Sequence, residues 1–134
     1  MDFITWSEND SIKVEIIDKQ HKDFFDIINE LYLTLGLQKD NETKELLIRL
    51  SEEIKIHFDT EEKLMKNNKF GGYFSHKLEH DRFYNKLNQF RDAVLDEKDI
   101  VNLEFLNSLK RWFYNHIDFN DRKLGEYLNT LGTE

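Results

Sequence analysis

Two histidines four residues apart, His76 and His80, stand in a strongly helical stretch of the chain. Residues i and i+4 of an α-helix lie one turn apart on the same face, so both imidazoles aim at one point. Two neutral nitrogen donors placed in this way can chelate a metal ion. The pair alone is a weak signal, because histidines share a helix face by chance. The rest of the chain strengthens it. His21 falls on a first apolar stripe, His57 and Glu61 fall one turn apart on a second, and His116 falls on a fourth, followed by Asp121. All five histidines and two carboxylates therefore occupy positions where core leucines are expected. Buried polar groups are costly unless satisfied, and little else in the chain would satisfy so many. Metal ligation is the chemistry this pattern predicts.

The donor set can be counted. First-row metals with imidazole and carboxylate ligands take about six donors each. If both carboxylates and one solvent-derived oxygen bridge two ions, one ion with three histidines is filled. The other, with two histidines, is one ligand short. An odd number of histidines thus predicts an asymmetric dinuclear centre with a single open position for a small ligand.

Four long elements must carry these residues. Residues 1 to about 17 read as a non-helical arm with scattered apolar side chains (Phe3, Ile4, Trp6, Ile12, Val14, Ile16, Ile17). A first helix is expected from Asp18 or Lys19 to Leu35, with Gly36 as its C-cap and the stripe His21, Phe24, Ile28, Leu31, Leu35. The connection 37–41 leads into a second helix ending near Asn67, with the stripe Leu47, Leu50, Ile54, His57, Glu61, Leu64. Residues 67–72, with Gly71 and Gly72, form the clearest break. The third helix carries Tyr73, His76, His80, Phe83, Leu87, Phe90 and Val94 to about Leu95. The fourth begins between Asp99 and Asn102 with Leu103, Leu106, Leu109, Phe113 and His116, then slips phase to Ile117, Asp121, Leu124, Leu128 and Leu131. His116 and Asp121 are five apart, roughly 140° around a regular helix. For both to reach one site the helix must widen as a π-bulge does, or bend. Short connections between such helices predict an all-α, up-down-up-down antiparallel four-helix bundle.

Composition agrees and excludes other classes. The 134 residues predict a single domain, 1–134, and the 11 Phe and 2 Trp among 39 % hydrophobic residues predict an aromatic core. Absence of proline suits uninterrupted helices, and absence of cysteine excludes disulfides, thiolate metal sites and thiol nucleophiles. A formal charge of −8 argues against nucleic acid or an anionic membrane as partner. No apolar run reaches membrane-spanning length and the N-terminus lacks a signal-peptide pattern, so a cytoplasmic protein is expected.

A single His, then His-x-x-x-Glu, His-x-x-x-His and His-x-x-x-x-Asp in a chain of this length resembles the hemerythrins, most closely the bacterial ones. Supporting strings are residues 18–21, 57–65, 76–81 and 112–117. A departure is Gly71-Gly72-Tyr73, where the family often has a Tyr-Pro pair. The resemblance implies a non-haem di-iron centre, two iron ions (Fe2+/Fe3+) with a bridging oxo or hydroxo, that binds O2 reversibly. His76, His80 and His116 would hold the filled iron, His21 and His57 the open one, and Glu61 and Asp121 would bridge. Phe24, Phe25, Phe58, Trp112, Phe113 and Ile117 neighbour these ligands in sequence and are candidates for a dry O2 pocket.

The leading functional reading is oxygen storage, delivery or buffering by a non-enzymatic monomer, with a reductase or an oxygen-consuming protein as expected partner. An oxygen- or redox-sensing module, a di-iron oxidase or NO-handling enzyme, and metal storage (zinc included) are the competing classes. Five neutral imidazoles against two carboxylates favour ferrous iron over high-valent oxidants. The Glu-x-x-His spacing of ferritin-like di-iron proteins is absent, since no histidine has Glu three residues before it.

Overall fold

Apolar side chains at three–four spacing build four antiparallel rods around one core, in up-down-up-down order. This computed structural model describes residues 3–131; Met1, Asp2 and residues 132–134, the ends of the expected arm and domain, lie outside the described residues. The rods are α1 (Glu15–Gly36), α2 (Asp40–Asn67), α3 (Tyr73–Leu95), and a composite fourth. That fourth rod runs as α4 (Leu103–Asn115), a π-helical segment (His116–Asp121) and α5 (Arg122–Thr130). Ile28, Leu31, Leu47, Leu50, Ile54, Leu106 and Leu128 are fully buried between them. Leu103 and Leu131, expected on the core stripe, are half exposed because each sits at an open end of the fourth rod.

The expected widening is present. The N–H of Arg122 bonds to the carbonyl of Ile117, five residues back, and the π segment spans His116 to Asp121. The helix starts are close to expectation: α4 begins at Leu103, capped by the Asn102 side chain accepting from Phe105 N at 2.9 Å.

Two boundaries differ from the sequence reading. α1 begins at Glu15, not at Asp18, because the Asp18 carboxylate is engaged with the arm instead. It accepts from Ser11 Oγ (2.5 Å) and Ile12 N (3.0 Å). Gly36 is the last residue of α1, and the left-handed cap position is Gln38, with φ 56°. Lys69 and Glu97 repeat this after α2 and α3. In each turn the next N–H bonds a carbonyl five residues back: Lys39 to Thr34, Phe70 to Met65 and Lys98 to Ala93. These 6→1 bonds satisfy helix-end carbonyls and offset the strain of a left-handed non-glycine residue.

The arm is not fully irregular, since residues Glu8–Asp10 form a 3-10 turn. It is fastened across the bundle. Asn29 exchanges two hydrogen bonds of 2.9 Å with the backbone of Ile4, Tyr114 donates to Thr5 O at 2.6 Å, and Arg122 donates to Asn9 O at 2.6 Å. Ile4, Ile12, Val14 and Ile17 are buried beneath it. The arm passes so close to α5 that a Cβ on Gly125 would stand 2.4 Å from the carbonyl oxygen of Ile12. Gly125→Ala is therefore expected to destabilise the fold by about 1–3 kcal/mol. Denaturant unfolding of the variant checks this, and an unchanged midpoint would show that the arm does not dock on α5.

Candidate metal centre

Helix geometry alone brings the polar residues of the four rods to one level of the core. His57 and Glu61 share a face of α2, and His76 and His80 share a face of α3, each pair one turn apart. His21 faces them from α1, and the π segment turns both His116 and Asp121 inward. All seven side chains are at most 5 % exposed. They form two overlapping groups: Glu61, His76, His80, His116 and Asp121; and His21, His57, Glu61 and Asp121. Within each group the ligand atoms lie within 4.8 Å of one another. All seven residues singled out from the sequence are thus brought together.

The two carboxylates belong to both groups, and their oxygens divide between them. Glu61 Oε1 is 2.9 Å from His80 Nε2 and 3.3 Å from His76 Nε2, whereas its Oε2 is 3.5 Å from His57 Nε2. Asp121 Oδ1 is 2.9 Å from His116 Nε2 and 3.1 Å from His76 Nε2, whereas its Oδ2 is 2.8 Å from His21 Nε2. Every histidine presents Nε2 inward. Three face one pair of carboxylate oxygens and two face the other.

Several of these close atoms make no hydrogen bond. Among the described residues, His21 Nε2, His57 Nε2, Glu61 Oε2 and both Asp121 oxygens are buried without a hydrogen-bond partner. Burial pushes His57 down to about 3, so that ring is neutral. Burial also disfavours charge on His76, but the adjacent carboxylates of Asp121 and Glu61 raise it to about 9. His116 is likewise held well above the usual histidine range, against burial, by Asp121 and Glu61. Burial opposes ionisation of Glu61, yet the surrounding histidines keep it well below the ordinary carboxylate range, and Asp121 is lowered in the same way. Protons on two histidines thus balance two buried carboxylates in the metal-free protein. Orphaned donors and acceptors converging on one small volume, with two carboxylates whose charge cations can neutralise in place of those protons, suit bound metal.

A family profile described as Hemerythrin HHE cation binding domain matches residues 12–128. The chain belongs to the hemerythrin family. Its relatives include bacteriohemerythrin of Clostridium acetobutylicum, 28 % identical over 88 % of this chain and 95 % of that one. Bacteriohemerythrin of Methylococcus capsulatus is 27 % identical, covering 96 % and 99 %, and myohemerythrin of Sipunculus nudus is 29 % identical, covering 88 % of each. The crystal structure of wild-type hemerythrin superposes with a TM-score of 0.91 at 27 % identity, over 94 % of this chain and 98 % of that one. The hemerythrin bundle is therefore the fold, and none of its described helices is long and apolar enough to cross a membrane.

Around the centre of this hemerythrin domain, aromatic rings form a wall. Phe58 stacks on His80 at 3.8 Å between centroids, Trp112 on His116 at 4.5 Å, and Phe24 meets His57 edge-on at 5.0 Å. Phe113 stands behind Phe24 at 5.4 Å, and Ile117 is fully buried beside His116 in the chain. Phe25 is buried but turns to Tyr114, at 5.6 Å. Phe83, absent from the sequence-based set, stacks on Trp112 at 3.8 Å; its place on the α3 stripe was the available signal.

Sequence reasoning also missed the groups behind the histidines. Gln20 Oε1 meets His57 Nδ1 at 2.7 Å, Glu62 Oε2 meets His80 Nδ1 at 3.0 Å, and Glu79 Oε1 meets His116 Nδ1 at 3.0 Å. Each is adjacent in sequence to a member of the centre, which was the only sign of them. Divalent-cation loading near pH 7 should displace the protons held by His76 and His116, releasing about two per chain into weakly buffered solution. At free cation about a thousand times Kd it should also raise the melting temperature by roughly 15 °C. Proton release measured by pH-stat and calorimetric melting check both, and loading with neither effect would remove these residues from the centre.

Proposed function

We propose that this hemerythrin-family chain binds O2 reversibly at a pair of non-haem irons, serving to store, deliver or buffer oxygen without turning over a second substrate. The observation that carries the reading is the division of carboxylate oxygens: Glu61 and Asp121 each turn one oxygen toward three histidines and the other toward two. His76, His80 and His116 would hold one iron, His21 and His57 the other, and Glu61 and Asp121 both. Such a pair, with an oxo or hydroxo, would supply the electrons and the open position that O2 needs.

The protein's own part is to hold, shield and balance. Three rods and the π segment fix the donors before any cation arrives, so little ordering is lost on binding. Phe24, with Phe113 behind it, lies against His57 on the two-histidine side, and Phe58 and Trp112 lie against His80 and His116 on the other, so that together they would keep water and protons from the centre. A groove of about 280 Å3 lined by Ile16, Gln20, Phe24, Glu53 and Ile56 opens between α1 and α2. Two of its lining residues, Gln20 and Phe24, touch His57, so it offers a diatomic an approach to that side. The charge balance supports carriage over oxidation: two carboxylates against two divalent cations leave net positive charge, which favours the reduced pair. An electron donor would be needed to recover chains that oxidise.

The test is direct. The purified chain is assayed for iron, reduced without air, then exposed to and freed from O2 while its visible spectrum is recorded. A band that appears with O2 and vanishes on its removal is expected, whereas irreversible oxidation would favour the sensing or enzymatic classes. His57→Ala should abolish the band while retaining about half the iron. Retention of the full reversible band by that variant would overturn the assignment of the two-histidine side.

A further inference from the structure

The two halves of the centre differ in what stands behind their histidines. His80 and His116, in the three-histidine half, meet the carboxylates of Glu62 and Glu79, each at 3.0 Å. His57, in the two-histidine half, meets the neutral amide of Gln20 at 2.7 Å. His21 Nδ1 is buried without a partner. The orientation of the Gln20 amide follows from its other end. Thr60 Oγ donates to the carbonyl of Ile56 at 2.9 Å, so its oxygen accepts from Gln20 Nε2 at 3.2 Å. Gln20 Oε1 therefore faces His57 and accepts the Nδ1 proton, which leaves the Nε2 lone pair aimed inward.

We propose that Glu62, Glu79 and Gln20 act as positioning residues that make the centre bind divalent cations in order: the three-histidine half first and tightly, the two-histidine half second and weakly. The proposal rests on the dinuclear reading above. A carboxylate accepting a ligand histidine's N–H makes the opposite nitrogen a stronger donor, and an amide does so much less because it carries no charge. Glu61 and Asp121 serve both halves, so they add nothing to the difference. Two outer carboxylates on one half and none on the other do. Glu62 has the larger share. Its side chain is 16 % exposed, with Lys77 at 3.6 Å, whereas that of Glu79 is 41 % exposed and more screened by water. Glu79 is kept in place by Asn120, which donates to its second oxygen from the π segment. Gln20 then sets the other limit: its amide orients His57 without strengthening it.

Donor number alone, three histidines against two, would also order the filling, so the test must separate the two causes. The full chain, stripped of metal by a chelator, is titrated with Co2+ and followed by absorption and calorimetry. Wild type should take two equivalents, the first at least about tenfold tighter. Glu62→Gln should weaken the first equivalent by roughly 10–100-fold and Glu79→Gln by less, with the second nearly unchanged. Gln20→Glu should tighten the second equivalent by about tenfold and leave the first alone. These near-isosteric changes keep an oxygen to accept from each ligand histidine, and circular dichroism verifies folding. If Glu62→Gln fails to fold, Glu79→Gln and Gln20→Glu still decide the matter. Two ordered equivalents that none of the three variants shifts would overturn the proposal and leave the dinuclear reading standing. Fewer than two equivalents in wild type would overturn both.

Discussion

Two carboxylates with no exposure to water, Glu61 and Asp121, set the terms for the rest of the molecule. Ionised groups in a dry interior are tolerable only with compensating charge close by. Here the compensation comes from imidazoles, His76 and His116, and not from lysine or arginine, because the ion pairs formed by those residues lie toward the surface. Imidazole can supply either a proton or a lone pair. The same ring that neutralises the carboxylates as a cation in the metal-free protein can, once deprotonated, coordinate the ion that replaces it. The core thus holds its protons at the same nitrogens and oxygens that could hold metal.

That demand explains the bundle's other features. Histidine and carboxylate interrupt the apolar stripes of every rod at one level, so hydrophobic burial must come from the layers around it. Leucine and isoleucine of α1, α2 and α4 fill one end, with Leu31, Leu47, Leu50, Ile54 and Leu106 fully buried. Toward the other end the arm lends Ile12 and Val14, and α5 lends Leu124 and Leu128. At the level of the histidines themselves, flat aromatic rings do the packing. Phe58 on His80 and Trp112 on His116 cover imidazoles face to face, which excludes water without competing for the nitrogens. The abundance of phenylalanine evident in the composition thereby gains a location.

Much of this was legible in the chain because the two kinds of signal coincide. A histidine or carboxylate on an apolar stripe announces both a helix face and a chemical site, and His21, His57, Glu61, His76, His80 and His116 each did so. Helix ends were less legible where a side chain could serve two ends. Asp18 has the look of an N-cap, yet its carboxylate ties down Ser11 and Ile12. Gly36 has the look of a C-cap, yet Gln38 adopts the left-handed conformation. Gln20, Glu62 and Glu79 were not legible, for a physical reason. They sit on the outer flank of the stripe, where a chain with 27 acidic residues carries carboxylates for solubility alone. Sequence neighbours of a ligand share its turn, but which helix they meet is settled only by packing. Phe25, adjacent to Phe24, meets Tyr114 for that reason.

The π segment shows how a single residue of excess length is converted into function. In a regular helix Asp121 would lie roughly 140° from His116 and face away from the core. Where the backbone N–H reaches five residues back, residues five apart return to the same face, and both side chains enter the centre. The extra residue has to be accommodated on the outside, and there Phe119 is left 63 % exposed, an unusual place for so large an apolar ring. The wider turn has a second effect. It carries Asn120 to the flank of α3, where it holds Glu79, which in turn accepts from His116. One irregular turn therefore places Asp121 in both groups of donors and His116 in the three-histidine group, and brings the support for His116's outer nitrogen. A regular helix of the same sequence would lose Asp121 from both groups at once and leave Glu61 alone between them. The irregularity is best understood as the element that places Asp121 in both groups of donors.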